Sequence, residues 1–362
     1  AAGAGAEGAG PSPGGNKVYR HLDCLQMRKC IAHLQASDAL REHVPSELIQ
    51  ETLQVLEHWM EAFSPQKRLD SFVNYKLWFH EVEESLVSIR ELYQYVQESA
   101  GAGAALQPGE KMTVFDLCSG KGHLSMLLAY LVPRIPCMSS MIGSIVMADK
   151  NGEHRNPMNL CHVDASNEDP ASIPIRFVQA DIHDAQVIKS LGIGPGTRGF
   201  VMGIHLCNRL SSRCAEIFMR CEGMDCLVLS PCCIPRGGLI HLNGQELDPK
   251  TELKGDRGDA YDRWVGFIHG VLAEEEEQTS TFRAPLEGGR LRKNQWVVSK
   301  RPLGRSVDAE GADGEEEPYE EGLCREYWYF GKCRYSKRGP PGSGGRQGKC
   351  QFNHVRGRRH WC

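Results

Sequence analysis

The sequence has no run of about 18 apolar residues, which excludes a membrane-spanning helix of ordinary length. It shows no internal repeat, so solenoid and propeller arrays are excluded as well. It also lacks the evenly spaced cysteines of a small secreted scaffold. The fifteen cysteines are odd in number and gather in 118–233 and 324–362. That distribution predicts reduced thiols and a metal site in an intracellular protein, nuclear or cytoplasmic. The chain opens on Ala1 rather than Met, so a longer N-terminus carrying a targeting signal stays open. Residues 306–322 hold no Lys or Arg but eight acids from Asp308 to Glu321, whereas 324–362 hold ten Lys/Arg against Glu326 alone. The net charge of −4 hides this asymmetry.

What is present divides along the chain. At 362 residues it exceeds one usual domain. An Ala/Gly/Pro-rich lead (1–16) is read as disordered. Residues 17–105 are read as helical from the three- and four-residue apolar spacing of "ELIQETLQVLEHWMEAF" and "KLWFHEVEESLVSIRELYQYVQ". Over 106–303 the apolar runs "MTVFDL", "GSIVMAD", "IRFVQAD", "GFVMGIHL" and "DCLVLSP" alternate with helical stretches, and "TFRAPLE" with "NQWVVSKR" reads as a closing hairpin. This texture predicts an α/β fold, a parallel sheet with helices on both faces. Residues 304–322 form an acidic linker and 323–362 a small Cys/His/aromatic module.

The stretch "VFDLCSGKGHLS" (114–125) predicts a strand ending at Asp116, a tight turn through Gly120 and Gly122, and a helix from about His123. A dinucleotide loop would carry a third glycine where Ser125 stands. It would also set a pyrophosphate beside Asp116, which repels it. A cationic, phosphate-free nucleoside is attracted instead, which favours S-adenosylmethionine. Asp149 closes the second strand, where a carboxylate can accept both ribose hydroxyls. Asp181 closes the third, where it can take the adenine amino group while Ile182 packs on the ring. Cys118, His123, Lys150 and His205 complete the expected cofactor-binding set. A single acid at a strand end is usually a cap or a loop residue; three in succession carry the reading.

These motifs resemble the class I S-adenosylmethionine-dependent methyltransferases, with a Rossmann-like sheet, across about 111–300. The closer resemblance is to a cysteine-rich branch that includes the eukaryotic tRNA acceptor-stem 2′-O-methyltransferases. It rests on Asp116–Ser125, on His205–Cys207 with Arg220–Cys221, and on Pro231-Cys232-Cys233. Where that branch has Lys and Gly beside its His-Leu-Cys, this chain has Ile204 and Asn208, and the N-terminal zinc modules of the tRNA enzymes have no counterpart near Cys24, Cys30 and His33. The resemblance implies that the ends of the fourth and fifth strands face the transferred methyl, so His205, Cys207, Asn208, Cys232 and Cys233 are the candidate catalytic residues.

His205 is the candidate base by its ordinary pKa; a buried histidine donating to a backbone carbonyl is the equal alternative. Lys121 is read as an oxyanion or phosphate contact, or as a solvated side chain. The cysteines read as small buried hydrophobes in preference to a zinc site shared with His205.

Cys324, Cys333, Cys350 and His354, separated by eight, sixteen and three residues, resemble a CCCH zinc finger with a looped-out segment. Its aromatics interleave with basic residues, a composition suited to stacking bases and neutralising phosphates. The expected function is therefore methylation of RNA, tRNA ribose in particular, with S-adenosylmethionine and zinc as cofactors. A methyltransferase for a small molecule or protein, and a non-catalytic RNA-binding scaffold, are the alternatives.

Overall fold

A computed structural model describes residues 15–63, 70–73, 78–101, 106, 109–151, 161–194, 196–235, 238–276, 278–284, 286 and 294–302. The expected zinc module, with Cys324, Cys333, Cys350 and His354, lies outside the described residues, as does the acidic linker. Helices α1 (Gly15–Ala36), α2 (Asp38–His43), α3 (Ser46–Ala62), α4 (Asp70–Val73) and α5 (Trp78–Gly101) precede the sheet. Then come β1 (Met112–Leu117), α6 (His123–Arg134), α7 (Pro136–Met141), β2 (Ile142–Asp149), α8 (Cys161–Glu168) and β3 (Ile175–Gln179). The chain returns through α9 (Val187–Leu191), β4 (Gly199–Leu206), α10 (Leu210–Arg220) and β5 (Met224–Pro231). It ends with a small hairpin, β6 (Ile240–Leu242) and β7 (Gln245–Leu247), then α11 (Arg257–Glu275), β8 (Gln278–Arg283) and β9 (Gln295–Lys300).

The large sheet has the order β3-β2-β1-β4-β5-β9-β8. Pairs among β1–β5 are parallel, and β9 joins β5 and β8 antiparallel. Strand alternation sorts the core into two layers. Met112, Val114, Met147, Phe200, Met202, Val228 and Trp296 face one apolar cluster, while Phe115, Leu117, Ala148, Val201, Leu227 and Val297 face the other. Burial on both faces is what near-continuous apolar strands require.

The N-terminal helices share the first of these clusters with the sheet. Helix α5 is fastened to it by Trp296 Nε1, which donates to Ser88 Oγ at 3.0 Å, and by Tyr95, whose hydroxyl donates to the Arg301 carbonyl at 2.9 Å. From β1 the chain first builds outward to β3 and then returns on the other side through β4. The reversal lies between β1 and β4, where open α/β sheets hold ligands at the strands' carboxyl ends.

Two features of the backbone follow from glycine. At Asn243-Gly244 both residues have positive φ, 47° and 76°, the two-residue turn that joins β6 to β7 and that Asn-Gly favours. Gly199 opens β4 beside Thr113 of β1, and a Cβ there would stand 2.2 Å from the Thr113 carbonyl oxygen. Gly199→Ala is expected to destabilise the protein by about 1–3 kcal/mol through overpacking, read as a lower midpoint in urea.

Candidate functional site

At the carboxyl end of β1 the chain turns through three left-handed residues, Cys118 (φ 59°), Gly120 (φ 56°) and Gly122 (φ 75°). Gly122 caps α6, and a Cβ on it would meet Met147 Sδ at 2.4 Å. Cysteine thus occupies a conformation that ordinarily costs a non-glycine residue about 1–2 kcal/mol. Cys118→Gly should leave stability unchanged or raise it by up to about 1 kcal/mol, whereas the β-branched Cys118→Val should lower it. Thermal unfolding of the two variants separates these outcomes.

Two of the three predicted acids, Asp116 and Asp149, flank this turn. Asp116, buried on β1, accepts a hydrogen bond from Ser125 Oγ at 2.6 Å. Burial pushes its pKa up to about 7; the Ser125 bond opposes that rise and the Asp149 charge adds to it. Asp149 Oδ2 accepts from the Gly120 amide at 3.0 Å and Oδ1 from the Asn151 amide at 2.7 Å, which ties the end of β2 to the glycine turn. Asp181 lies two residues beyond β3 rather than at its last position and accepts from the His183 amide at 3.0 Å. Burial raises the pKa of the Cys118 thiol to about 12, and the charges of Asp149, Asp116 and Asp181 add to the rise while Lys150 opposes it. The carboxylates of Asp149 and Asp116 beside the turn, with the charge of Asp181 also felt there, make a negative surround, or cup, suited to a cation.

The other predicted cofactor residues are distributed around this cup. Lys150 is exposed just past β2. Ile182 belongs to the core, 1 % exposed, with its carbonyl accepting from Arg213 Nε at 2.8 Å. His123 opens α6, but its ring lies against Phe72 at 4.6 Å and its Nε2 contacts the Phe72 carbonyl at 3.3 Å. Burial drives the pKa of His123 down to about 3, so it is neutral and helps seat the N-terminal helices. Lys121 is half-buried beside the cup, and burial lowers its pKa against the pull of Glu81.

At the ends of β4 and β5 three of the predicted catalytic residues, Cys207, Cys232 and Cys233, come together. The β4–β5 register shifts between Ile204 and Leu206, leaving His205 in a bulge with φ 59°. Bulges re-aim side chains. Asn208 follows with φ 56°, so left-handed residues bracket Cys207. Cys207 Sγ is 2.7 Å from Cys232 Sγ and 3.5 Å from Cys233 Sγ, and Cys232 Sγ contacts the His205 carbonyl at 3.2 Å. The neighbouring Cys207 thiol, then burial, pushes the Cys232 thiol well above its ordinary range.

The His205 imidazole does not join these thiols, nor does it donate to a backbone carbonyl. Its Nε2 contacts Glu84 Oε2 and lies 3.6 Å from Glu81 Oε2. Burial alone would lower the pKa of His205; Glu84 and then Glu81 outweigh it and carry it up to about 8. Mostly protonated at neutral pH, the ring is a poorer general base than its ordinary pKa suggested. The Glu81 pKa is itself raised, chiefly by burial and against the pull of His205. Glu81 and Glu84 were not among the sequence candidates. Their spacing of one helical turn on α5 was visible, but the face of α5 turned to the site was not.

Residues 79–236 match a family model described as a methyltransferase domain. No curated protein matches the chain. Among solved structures, the DszA carbon methyltransferase is similar at 13 % identity over 79 % of this chain and 90 % of its own, with a TM-score of 0.37. An O-methyltransferase family protein from Burkholderia thailandensis is similar at 11 % identity, over 70 % and 73 % of the two chains, with a TM-score of 0.29. An O-methyltransferase family 2 protein from Planctomyces limnophilus, in complex with apigenin, is similar at 12 % identity, over 80 % and 97 %, with a TM-score of 0.28.

Proposed function

From a domain with the class I S-adenosylmethionine-dependent methyltransferase-like fold, we propose that this protein methylates a small, uncharged acceptor admitted between α5 and the ends of β4 and β5. The cofactor's ammonium and nucleoside would be held by Asp116, Asp149 and Asp181 around the turn of Cys118, Gly120 and Gly122, with His123, Lys150, Ile182 and His205 as its surroundings. The donor set suits a cation: Asp149 is bonded to the turn at Gly120 and Asp116 stands just before it, and both with Asp181 put negative charge on the Cys118 thiol. When bound, the cofactor supplies a methyl group already activated on a sulfonium. The chain's contribution is then chiefly positioning, and His205, Cys207, Asn208, Cys232 and Cys233 shape the acceptor's end of the site.

One observation carries the choice of acceptor. Glu81 and Glu84 stand on the acceptor side, against His205. The His205 imidazolium offsets one of the two carboxylates, so at most one negative charge is left to repel a phosphodiester about 4 Å away, by up to about 4 kcal/mol at an effective dielectric of about 20. A phosphodiester brought to that place is disfavoured, and a neutral hydroxyl is not. Methylation of RNA, tRNA ribose in particular, is the second reading. It is favoured by the ten Lys/Arg and interleaved aromatics of 324–362, where the zinc finger of Cys324, Cys333, Cys350 and His354 is proposed to hold the nucleic acid away from the two glutamates.

The experiment is incubation of the full-length protein with methyl-labelled cofactor and separate small-molecule, RNA and protein fractions. Label is expected in the small-molecule fraction. Label confined to RNA supports the second reading, and cofactor binding with no label in any fraction contradicts both.

A further inference from the structure

We infer that Cys207 and Cys232 form a site of covalent modification, a dithiol that a peroxide oxidises to a reversible disulfide, with Cys233 as a third thiol within reach. The sheet builds this pair. Leu206 pairs with Pro231 where β4 and β5 run parallel, and the Cys232 amide donates to the Leu206 carbonyl at 3.2 Å. Cys207 and Cys232 are therefore the next neighbours across the strands. Adjacent strands lie about 4.7–4.9 Å apart, inside the span of about 4.4–6.8 Å that the Cα atoms of a disulfide take. The two sulfurs already touch at 2.7 Å, nearer than the about 3.5–4.0 Å at which carbon atoms rest. Zinc, with Zn–S bonds of about 2.3 Å in a tetrahedron, would instead hold them about 3.8 Å apart.

Exposure and charge set these thiols apart. Cys30, Cys214, Cys221 and Cys226 are buried, whereas Cys207, Cys232 and Cys233 are half-buried and within reach of a small oxidant. The charges of Cys207 and His205 act on one another, and Glu84 and Glu81 keep that imidazole mostly protonated. A thiol beside an imidazolium ionises more readily. Cys232, by contrast, is held as a thiol chiefly by its contact with Cys207. Cys207 is thus the attacking thiolate and Cys232 the resolving thiol. With hydrogen peroxide as oxidant, the Cys207 sulfur takes one oxygen as the O–O bond breaks, leaving a sulfenic acid. The departing hydroxide takes a proton and becomes water. The Cys232 sulfur then forms the S–S bond as the S–O bond breaks, and the second oxygen leaves as water. Two thiols are oxidised, and one peroxide is reduced to two waters.

The consequence for activity rests on the proposed methyltransferase function. The pair lies at the acceptor's end of the site, on β4 and β5, whereas the cofactor turn of Cys118, Gly120 and Gly122 follows β1. A bridge draws Cys232 Sγ toward Cys207 and off the His205 carbonyl, now 3.2 Å away, so it reshapes the acceptor's end and spares the cofactor's. Partly exposed disulfides are the labile, regulatory ones. Oxidation therefore switches methyl transfer off, and a thiol reductant restores it.

The full chain, reduced and freed of reductant, is treated with one equivalent of hydrogen peroxide, and its peptides are mapped without reduction by tandem mass spectrometry. The expected product is a link between Cys207 and Cys232 that dithiothreitol reverses, formed at least about ten times faster than Cys137 on α7 is oxidised. In Cys232→Ser the link should move to Cys233, whose sulfur is 3.5 Å from that of Cys207, and form at least about tenfold more slowly. Cys137→Ser should form the wild-type link at the wild-type rate. Circular dichroism confirms that each variant is folded. Recovery of Cys207 and Cys232 unlinked from wild type, or a link elsewhere forming first, overturns the site. Reduced and oxidised wild type are then titrated with S-adenosylmethionine and assayed for label transferred to the small-molecule fraction. Equal cofactor affinity is expected, with a loss of transfer of at least about tenfold in the linked form; unchanged transfer overturns the switch. A link without cofactor binding in either form sinks the methyltransferase reading alone, whereas cofactor binding without the link sinks the oxidation site alone.

Discussion

Arg301→Met is expected to destabilise the protein by about 3–5 kcal/mol, the largest loss foreseen for any single substitution outside the site. Arg301 is 4 % exposed and directly follows β9. Its Nε donates to Glu276 Oε1 at 2.5 Å, and its Nη1 donates to the carbonyls of Cys221 and Met224 at 2.9 and 3.1 Å. The guanidinium also lies 4.3 Å from the centre of the Phe218 ring, at the carbonyl end of α10, where a cation is favoured by the helix dipole. One side chain therefore joins β9, the end of α10, the turn into β5 and the end of α11. Methionine keeps the apolar stem but leaves the Glu276 carboxylate and two buried carbonyls without the charge that faces them. The urea midpoint should fall by about 1 M or more, with Arg301→Lys intermediate. A midpoint within experimental error of wild type would contradict the assignment.

Cofactor affinity is expected to rise about 100-fold between pH 5 and pH 8. The cup needs Asp116 as a carboxylate, and burial holds its pKa at about 7. At pH 5 about one molecule in a hundred has it ionised, and apparent affinity falls by the competent fraction. The sign for stability is opposite. An acid whose folded pKa exceeds its unfolded value of about 4 contributes stability below pH 4 and loses it as pH rises through 7. The ligand-free protein should thus lose part of its Tm between pH 5 and pH 8, while the Tm increase caused by S-adenosylmethionine grows. Asp116→Asn should flatten both profiles at reduced affinity, and a flat affinity profile in wild type would rule out the linkage. Titration calorimetry across pH measures it directly.

Much of the sheet was legible in the sequence because its strands are buried on both faces and therefore read as short apolar runs. The runs ending near Leu117, Asp149 and Pro231 became β1, β2 and β5, and the order of Asp116 and Asp149 placed both at one edge. The hairpin of β6 and β7 was overlooked although Asn243-Gly244 marked it. Other features were not legible for physical reasons. The near-continuous apolar run of β4 does not reveal the bulge that turns His205 toward α5. Helix α5 is covered on nearly every side, Glu83 and Ser88 being fully buried, so no polar stripe distinguished the face carrying Glu81 and Glu84. Ile182 was read as a surface for a ring; that the turn at Asp181 and His183 also packs it into the core, 1 % exposed, was not legible from its apolar type alone. Arg301, at the end of an apolar strand, gave no sign that it joins four elements.

The central claim is that carboxylates from three strand ends grip a cationic nucleoside at the Cys118–Gly122 turn. Calorimetric titration of S-adenosylmethionine into wild type and Asp149→Ala at pH 8 tests it most directly. The expected result is one cofactor per wild-type chain and at least about a tenfold loss in the variant, the value of about 1.5–3 kcal/mol for hydrogen bonds to a charged group. No heat of binding in wild type, or equal affinity in the two proteins, would contradict it.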